Sequence, residues 1–546
     1  MPTYLFTEGT TFHRSTIHKH YAPTYLSVHV TQLINSRSSP PRLPKTITTM
    51  PLPRTKEGFL WTPTTKQEGL PTAAAIQTQD NPFALKTQYD VIIIGAGFTG
   101  LIAARDLSRT HRNLSILLLE ARDRIGGRTW TANVLGEEIE MGGAWVHWDQ
   151  PHVYSQLQRY GLHKYLKTSA GTLAPEKQFF RSVGGDVEIV DVRRSAEALE
   201  RVARRVFTVD GFDARELMPF PHDPLREPAL WRQYDGLSVA DRLDQLEGFA
   251  ARERALFESN VSTFGSAPAK EIGFVEALRW YVLGGCSMAG VFEKAGIYKL
   301  GNGGMTSLAR AILDDFRGDT LFGTAVTEVS QGAVGAVVRT TQGRRLKAKS
   351  VISTIPLNCL GDVVFNPPLS PIRQAAIATG HINQGAKIHF KLRNTQPGWF
   401  HTADGNGDSS FVFAFSDHNG TQMSVPLGTW CIGFGYNGNL MDKTDSQHIL
   451  ARFRRDVLSS AEVEAYATHD WTNDPYSKGV WACWGPGGAS RYLEELQKPH
   501  GRVVFASADW ADGWRGFVDG AIERGQAAVK EVLQLLGDSV GAEAKL

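Results

Sequence analysis

The feature that most constrains this chain is a short β-branched run that leads directly into a glycine-rich turn. Residues 90–95 (Asp-Val-Ile-Ile-Ile-Gly) have the composition of a strand that is buried on both faces. The turn from Gly95 to Gly100 has the pattern G-x-G-x-x-G, and residues 98–109 predict a helix. A second apolar run at 114–120 predicts another buried strand. Strand, helix and strand in this order indicate a βαβ unit and a parallel sheet.

The turn has the glycines that a dinucleotide-binding loop needs. Gly95 permits the tight turn, Gly97 lets the backbone approach a pyrophosphate, and Gly100 lets the helix pack on the strand. The helix N-terminus then offers unpaired N–H groups to phosphates. Glu120 lies twenty residues after Gly100, where an acid binds ribose hydroxyls. The alternatives are an ordinary turn and a solvated strand end, and the matching context on both sides favours the dinucleotide site.

The residues after Glu120 help to distinguish one dinucleotide from another. Arg122 and Arg128 are placed to meet phosphate or ribose oxygens, and Gly126 and Gly127 let the backbone come close to a ligand. The alternative is a basic surface turn.

This stretch carries a resemblance to a known family. Residues 120–129 resemble the second fingerprint of the flavin-containing amine oxidases, and residues 141–145 (Met-Gly-Gly-Ala-Trp) are similar to the segment beside their flavin. Further segments resemble later family motifs in the same order: 351–356, 478–481, 508–510 and 516–521. The resemblance covers roughly residues 60–546. It is strongest to the fungal peroxisomal monoamine oxidases, through residues 145–148, 219–223 and 544–546.

The resemblance implies an α/β fold, in which a Rossmann-like, doubly wound FAD-binding domain is built from separated segments and an α+β substrate domain is inserted. The predicted FAD-binding segments are 85–165, 295–356 and 489–540. The substrate domain takes a helical segment at 166–294 and a mixed-sheet segment at 357–488. Residues 1–80 are predicted to be a disordered or non-native extension, and 541–546 a targeting tail.

The same resemblance implies contacts with FAD from residues in each motif: Gly95, Gly97, Phe98, Thr99, Gly100, Glu120, Ala121, Arg122, Gly127, Arg128, Thr129, Gly142, Gly143, Ala144, Trp145, Val326, Asp509, Phe517 and Val518. Trp481 and Phe517 match the aromatic pair that encloses the amine, and Lys387 matches a lysine that holds a water at the flavin. For Lys387 an alternative stays open. In residues 386–392, Lys387, His389 and Lys391 alternate with apolar residues, which also describes a strand with a solvated face.

Two departures from the family bear on the cofactor and the membrane. Some monoamine oxidases attach FAD through a cysteine directly before the first cage aromatic, and here that position is Val480, while Cys483 lies out of register. FAD is therefore expected to be non-covalent. The membrane-anchoring tail helix of those monoamine oxidases is not expected either. His147 and His152 have no third ligand nearby in sequence, so no metal is predicted.

The resemblance implies an FAD-dependent amine oxidase that converts an amine to an imine by hydride transfer to the flavin and reduces O2 to H2O2. The alternatives are an L-amino acid oxidase, a polyamine oxidase or an alkaloid-tailoring oxidocyclase. A non-catalytic flavin module is less favoured, because both aromatics and Lys387 are retained. The wall of the substrate pocket is expected within residues 280–297. Whether the protein forms a homodimer stays open.

Composition and the chain ends limit partners and location. The chain has 58 Lys and Arg against 56 Asp and Glu, a net charge of +2, which argues against a nucleic-acid binder. The sequence ends Ala544-Lys545-Leu546, a variant of the peroxisomal address, so a peroxisomal import receptor is an expected partner. Residues 1–50 contain one acid, Glu8, among several basic residues. Three interpretations of this segment stay open: a disordered tail, a mitochondrial transit peptide, or an untranslated extension upstream of Met50. A cytoplasmic location of the protein also stays open.

Overall fold

Two large β-sheets organise the computed structural model, which describes residues 51–76, 85–404, 409–421 and 427–543. In chain order the strands are β1 Phe59–Thr62, β2 Thr65–Glu68, β3 Gln88–Ile94, β4 Ile116–Leu119, β5 Thr131–Val134, β6 Glu137–Glu140, β7 Leu166–Thr168, β8 Lys177–Arg181, β9 Val187–Val190, β10 Tyr298–Leu300, β11 Asp319–Leu321, β12 Val326–Gly332, β13 Gly335–Thr340, β14 Arg345–Ser353, β15 Val364–Asn366, β16 Gly385–Leu392, β17 Trp399–Ala403, β18 Phe411–His418, β19 Thr429–Tyr436, β20 Val463–Thr468 and β21 Val503–Phe505. The α-helices are α1 Phe98–Thr110, α2 Pro151–Arg159, α3 Ala170–Leu173, α4 Val192–Val206, α5 Ala214–Leu217, α6 Val239–Asp244, α7 Ala251–Gly265, α8 Phe274–Leu283, α9 Met288–Phe292, α10 Gly304–Asp314, α11 Pro371–Thr379, α12 Ser446–Asp456, α13 Gly488–Gln497 and α14 Val518–Glu543.

The first sheet contains the predicted βαβ unit. Its order is β11-β4-β3-β14-β13-β12-β15, and β21 pairs with β14. Strands β3 and β4 are parallel and are joined through α1, as the sequence predicts. The β4 side chains are all buried, and α1 packs against α10 and α14. The predicted α/β class is confirmed, and the glycine turn lies at the carboxyl end of β3, where parallel sheets bind ligands.

The second sheet is mixed and contains nine strands. Its order is β2-β1-β20-β16-β19-β18-β17-β8-β9, and its pairs are antiparallel except for β17 with β8. Strands β16, β18 and β19 are buried along nearly their whole length. Helices α4 to α9 come between β9 and β10 in the chain, in the stretch that the sequence predicts to be helix-rich. The predicted domain boundaries themselves stay a prediction.

The prediction that residues 1–80 form a disordered or non-native extension is wrong for residues 51–76. Strands β1 and β2 form a hairpin, and β1 pairs with β20, for example Phe59 with Thr468. This partner is some four hundred residues away in the chain, so no local sequence pattern could reveal it. Residues 1–50 and 77–84 lie outside the described residues, as do 544–546.

One strand of the predicted substrate segment belongs to the first sheet instead. The predicted substrate segment 357–488 contains β15, which pairs in parallel with β12 of the first sheet. Its three residues are too few for a periodic pattern to show. The final helix, α14, spans Val518–Glu543. In the part of the chain that the structure describes, no helix is both long enough and apolar enough to cross a membrane.

Candidate active site

A cavity of about 500 Å³ extends from the glycine turn after β3 to aromatic side chains of the second sheet. Most of the predicted cofactor and catalytic residues line it: Gly95, Gly97, Phe98, Thr99, Glu120, Ala121, Arg122, Gly127, Arg128, Thr129, Gly142, Gly143, Ala144, Trp145, Val326, Lys387, Trp481, Phe517 and Val518. Gly100 and Asp509 do not line it. The individual contacts with FAD stay predictions, but the fold brings these distant residues to one site.

At one end of the cavity two glycine backbones approach each other closely. Gly97 precedes α1, and a Cβ on Gly127 would lie only 3.2 Å from the Cα of Gly97. Gly100 faces inward instead, because a Cβ there would lie 1.9 Å from the carbonyl oxygen of Gly95. Gly100 therefore permits the helix to pack, while Gly97 and Gly127 leave a groove free of side chains, in which backbone can approach a pyrophosphate.

Glu120 is held rigidly at this end. One carboxylate oxygen accepts a hydrogen bond from the Ala96 N–H at 2.6 Å, and the other accepts from the Arg122 N–H at 2.8 Å. Burial raises the pKa of Glu120, and Arg122 opposes that rise. Glu120 lines the cavity, and its carboxylate keeps lone pairs beyond these two bonds, so it can accept from ribose hydroxyls.

The Arg122 guanidinium, predicted to meet phosphate or ribose oxygens, is already paired within the protein, and its contact with the cofactor stays a prediction. This group donates two hydrogen bonds to Asp474, at 2.6 and 2.8 Å, and also contacts Glu57. Two carboxylates therefore already neutralise its charge. The sequence could not show this, because Glu57 and Asp474 reach the loop only through the tertiary fold.

Arg128 and Asp509 join two parts of the site. Arg128 donates to Asp509 at 2.6 Å and to the carbonyl oxygen of Val480 at 2.8 Å. Asp509 is fully buried and also accepts from the Leu357 N–H at 2.8 Å. Asp509 therefore fixes Arg128 from outside the cavity, and Arg128 in turn holds the backbone next to Trp481.

Trp481 and Phe517 form the walls of the other end of the cavity. The Trp481 Nε1–H donates to the carbonyl oxygen of Phe264 at 2.6 Å. The Phe517 ring packs between Trp280 and Trp514, with ring centroids 5.0 and 5.1 Å away. Both side chains are half-buried and face the same space. Their orientations are thus fixed by neighbours before any ligand binds.

Lys387 lies beneath this aromatic end. Its side chain is buried, and Nζ donates to the carbonyl oxygens of Glu140 and Gly142 at 2.8 and 2.7 Å. Nζ also lies 4.9 Å from the centre of the Trp145 ring. Because Lys387 and its neighbour His389 are both buried, the alternative of a solvated strand face is wrong. Burial lowers the pKa of Lys387 to about 7 and raises that of the Glu140 carboxyl to about 7.

Several cavity residues were missed from the sequence. They are aromatic side chains of the second sheet and the helices: Phe264, Phe400, Phe413, Phe415 and Phe434. The alternation of Phe411, Phe413 and Phe415 was the available signal. Within the wall expected at residues 280–297, the cavity is lined by Trp280, Val291, Phe292, Ala295 and Gly296, next to a π-helical turn at Glu293–Ile297.

One group of side chains also has the spacing of metal ligands. Glu57, His469 and Asp474 bring their ligand atoms within 4.8 Å of one another. Arg122 and Arg124 already pair with the two carboxylates. The local charge is balanced by these arginines without an ion.

Comparison with known proteins defines the family. The profile described as "Flavin containing amine oxidoreductase" matches residues 98–533. Pseudooxynicotine dehydrogenase from Pseudomonas sp is 33% identical over 458 residues, which cover 83% of this chain and 88% of that protein. Amine oxidase B of Bos taurus is 25% identical over 481 residues, covering 83% and 88%. The structure of putrescine oxidase bound to putrescine has a similar fold, with a TM-score of 0.67, 22% identity, and coverage of 82% of this chain and 99% of that one.

The chain therefore belongs to the flavin-containing amine oxidoreductases. It is an FAD-dependent enzyme that oxidises amines, as the sequence predicts. FAD is held non-covalently, in keeping with Val480 at the position before Trp481. The glycine groove, Glu120 and the long cavity fit this cofactor. The narrower resemblance to fungal peroxisomal enzymes stays a prediction, because the relatives named above are bacterial and mammalian.

Proposed function

We propose that the enzyme oxidises a bulky, apolar monoamine and passes the electrons to O2. The observation that carries this proposal is the chemistry of the cavity wall. At its aromatic end the wall is lined mainly by rings, including Phe264, Trp280, Phe292 and Phe400. Such a surface favours an apolar body and gains little from a second charged group.

Most of the charged residues that line the cavity are already paired. Glu120 accepts from two backbone N–H groups. Arg122 binds Asp474, Arg128 binds Asp509, and Asp362 binds Lys478 at 2.6 Å. Among the described lining residues, Lys387 is the remaining charged group.

These pairings argue against two of the alternatives. A polyamine needs a carboxylate for its second ammonium group, and an amino acid needs a cation for its carboxylate. Glu120 lies at the glycine end and Asp362 is paired with Lys478, so the second ammonium group of a polyamine has no free carboxylate at the aromatic end. The remaining cation for an amino acid's carboxylate is Lys387, which already donates to two carbonyl oxygens and whose pKa burial lowers to about 7, so it is a weak partner.

The chain's own groups would orient the amine. FAD supplies the electron-accepting chemistry when bound. Trp481 and Phe517, each fixed by a neighbour, hold the amine nitrogen and its carbon between two ring faces and exclude water. Lys387 Nζ, held by two carbonyl oxygens, would keep a water beside the cofactor.

Matched pairs of amines test the substrate class. Hexylamine would be compared with the diamine of the same chain length, and phenethylamine with L-phenylalanine, by initial rates of amine-dependent flavin reduction. The monoamine of each pair should have the higher kcat/KM, by roughly a hundredfold, because the second charge has no partner. A preference for the diamine or the amino acid would contradict the proposal.

The electron acceptor needs a separate test, since one relative is named a dehydrogenase. Amine-reduced enzyme would be mixed with air-saturated buffer in a stopped-flow instrument. Rapid reoxidation with one H2O2 formed per amine consumed supports O2 as the acceptor. Flavin that stays reduced for minutes would instead indicate a different acceptor.

The peroxisome is the proposed location. Ala544-Lys545-Leu546 is the supporting feature, and an import receptor for such addresses would be the partner. Peroxide formation also suits a compartment rich in catalase. A reporter ending in Ala-Lys-Leu should give a punctate pattern that becomes diffuse when Leu546 is deleted. Mitochondrial staining of the full chain would favour the N-terminal segment as the address.

A further inference from the structure

Glu57, from the segment that the sequence assigned to an extension, contacts the loop that follows Glu120. Its carboxylate contacts Arg122 and accepts from Arg124 Nε at 2.7 Å. The side chains of Arg122 and Arg124 are 3% and 0% exposed. Two buried guanidiniums of one short loop therefore share a carboxylate that comes from outside that loop.

Arg124 transmits this contact to the glycine groove. Its Nη1 donates to the carbonyl oxygen of Gly127 at 2.7 Å and more weakly to that of Ile125 at 3.3 Å. Gly127 is the residue that lies against Gly97, and both line the cavity. The position of the Arg124 guanidinium thus influences the shape of the groove.

The segment around Glu57 is also fixed to the same loop by other bonds. The Thr55 hydroxyl and the Lys56 N–H donate to the Asp123 carboxylate at 2.5 and 2.9 Å. The Ile76 N–H donates to the carbonyl oxygen of Asp123 at 2.8 Å. These contacts hold Glu57 in place, so its carboxylate reaches the arginines without freedom to move away.

Removal of the Glu57 charge would affect the two arginines differently. Arg122 would keep Asp474 as a partner. Arg124 would keep the faces of Trp130 and Trp471, at 5.0 and 5.7 Å, but among the described residues it pairs with no second carboxylate. A buried cation without a counter-charge is unfavourable, and the loop would rearrange to hydrate it.

We propose that Glu57 is a positioning residue of the FAD site, which holds the Arg122–Gly127 loop in the shape that keeps the groove at Gly97 open. The N-terminal segment is therefore part of the cofactor site, although Glu57 itself does not line the cavity. The consequence is a specific loss of FAD affinity when the charge is removed.

Glu57→Gln tests this in the full chain. Apoprotein would be prepared and titrated with FAD, and the dissociation constant measured by quenching of flavin fluorescence. FAD should bind roughly tenfold to a hundredfold more weakly, and the rise in melting temperature caused by FAD should shrink accordingly. Glu68→Gln is the matched control, because Glu68 is an exposed residue of the same hairpin, and it should bind FAD like the wild type.

The comparison of apoprotein with holoprotein separates positioning from general stability. If Glu57 only stabilised the fold, both forms would melt at a lower temperature, and FAD affinity would stay within twofold of the wild type; that result overturns the proposal. If Glu57→Gln does not fold, Glu57→Asp takes its place, because it keeps the charge but cannot reach both guanidiniums. Wild-type FAD affinity in Glu57→Asp would then overturn the proposal.

Discussion

Single side chains decide how an amine can approach the cofactor. Trp481 is oriented by a hydrogen bond to a backbone carbonyl, whereas Phe517 is oriented only by ring packing against Trp280 and Trp514. A smaller apolar side chain at 517 would therefore change the wall of the cavity without leaving a polar group unpaired.

Phe517→Leu should separate orientation from folding. Because Phe517 is half-buried, the change should cost at most about 1.5 kcal/mol of stability, and FAD content should stay near that of the wild type. The rate of flavin reduction by the best amine should fall by roughly a hundredfold, because one of the two ring faces is lost. Anaerobic stopped-flow measurements give this rate. Phe453→Leu, in α12 and away from the cavity lining, should reduce normally. Normal reduction in Phe517→Leu would contradict the cage.

Lys387→Met tests the buried lysine, and Lys391→Met is its control on the same strand. Lys391 is partly exposed and pairs with Glu464 at 3.2 Å, so its loss should leave both half-reactions unchanged. Lys387→Met should slow reoxidation by O2 by roughly a hundredfold, with a smaller effect on reduction, because a cation beside the reacting flavin is removed. Wild-type rates in both half-reactions would exclude a role for Lys387.

The pH dependence of reoxidation follows from the same residue. Burial lowers the pKa of Lys387 to about 7, so Nζ gains its proton as the pH falls through neutrality. The protonated form stabilises negative charge that develops on oxygen, so the wild-type reoxidation rate should rise as the pH falls from 8 to 6, a range of about one unit on each side of that pKa. A flat profile in the wild type, measured by stopped flow, would contradict this assignment.

Among the elements, the glycine turn and the loop after β4 meet at one point. Gly127 has a φ of +60°, and its Cα lies beside Gly97. Gly184, in the turn between β8 and β9, has a similar φ of +65° but open space around it. These two glycines share the same backbone strain when substituted and differ in what a new methyl group would meet.

Gly127→Ala and Gly184→Ala should therefore differ in cofactor binding. Each should lose about 1 kcal/mol of stability from the left-handed backbone. Only Gly127→Ala adds a contact at 3.2 Å to Gly97, so only this variant should bind FAD more weakly, by roughly tenfold. Titration of the apoproteins with FAD measures the difference. Equal FAD affinity in the two variants would mean that the groove tolerates a side chain.

At the scale of the whole molecule, the cavity joins segments from Ile94 to Ala521. FAD in this cavity would contact segments that are far apart in the chain, so its binding should stabilise the fold as one unit. At a free FAD concentration of about one hundred times the dissociation constant, the gain is about 2.7 kcal/mol.

Acid precipitation of the purified yellow protein should release all of its FAD into the supernatant. The reason is Val480, which offers no sulfur for a covalent bond, while Cys483 is buried beyond Trp481. The absorbance spectra of the supernatant and the redissolved pellet measure the two fractions. Apoprotein from which FAD has been removed at mild pH should have a lower melting temperature than the holoprotein. Flavin that stays with the pellet would contradict non-covalent binding.

The sequence by itself determined the β3–α1–β4 unit, the glycine turn and Glu120, because these depend on residues that are neighbours along the chain. Their strand and helix patterns are local, and local patterns survive in any tertiary context that buries them. The aromatic pair and Lys387 came from motif resemblance, and the fold brings them to the same cavity as the glycine turn.

Only the tertiary structure decided which charges are free and which segments belong to the fold. Arg122 has the sequence context of a phosphate ligand, yet Glu57 and Asp474 occupy it from positions 65 and 352 residues away. The hairpin of β1 and β2 has no strong pattern of its own and is ordered by pairing with β20. The physical reason is the same in both cases: pairing energies between distant residues depend on their separation in space, and the order of residues along the chain does not contain that distance.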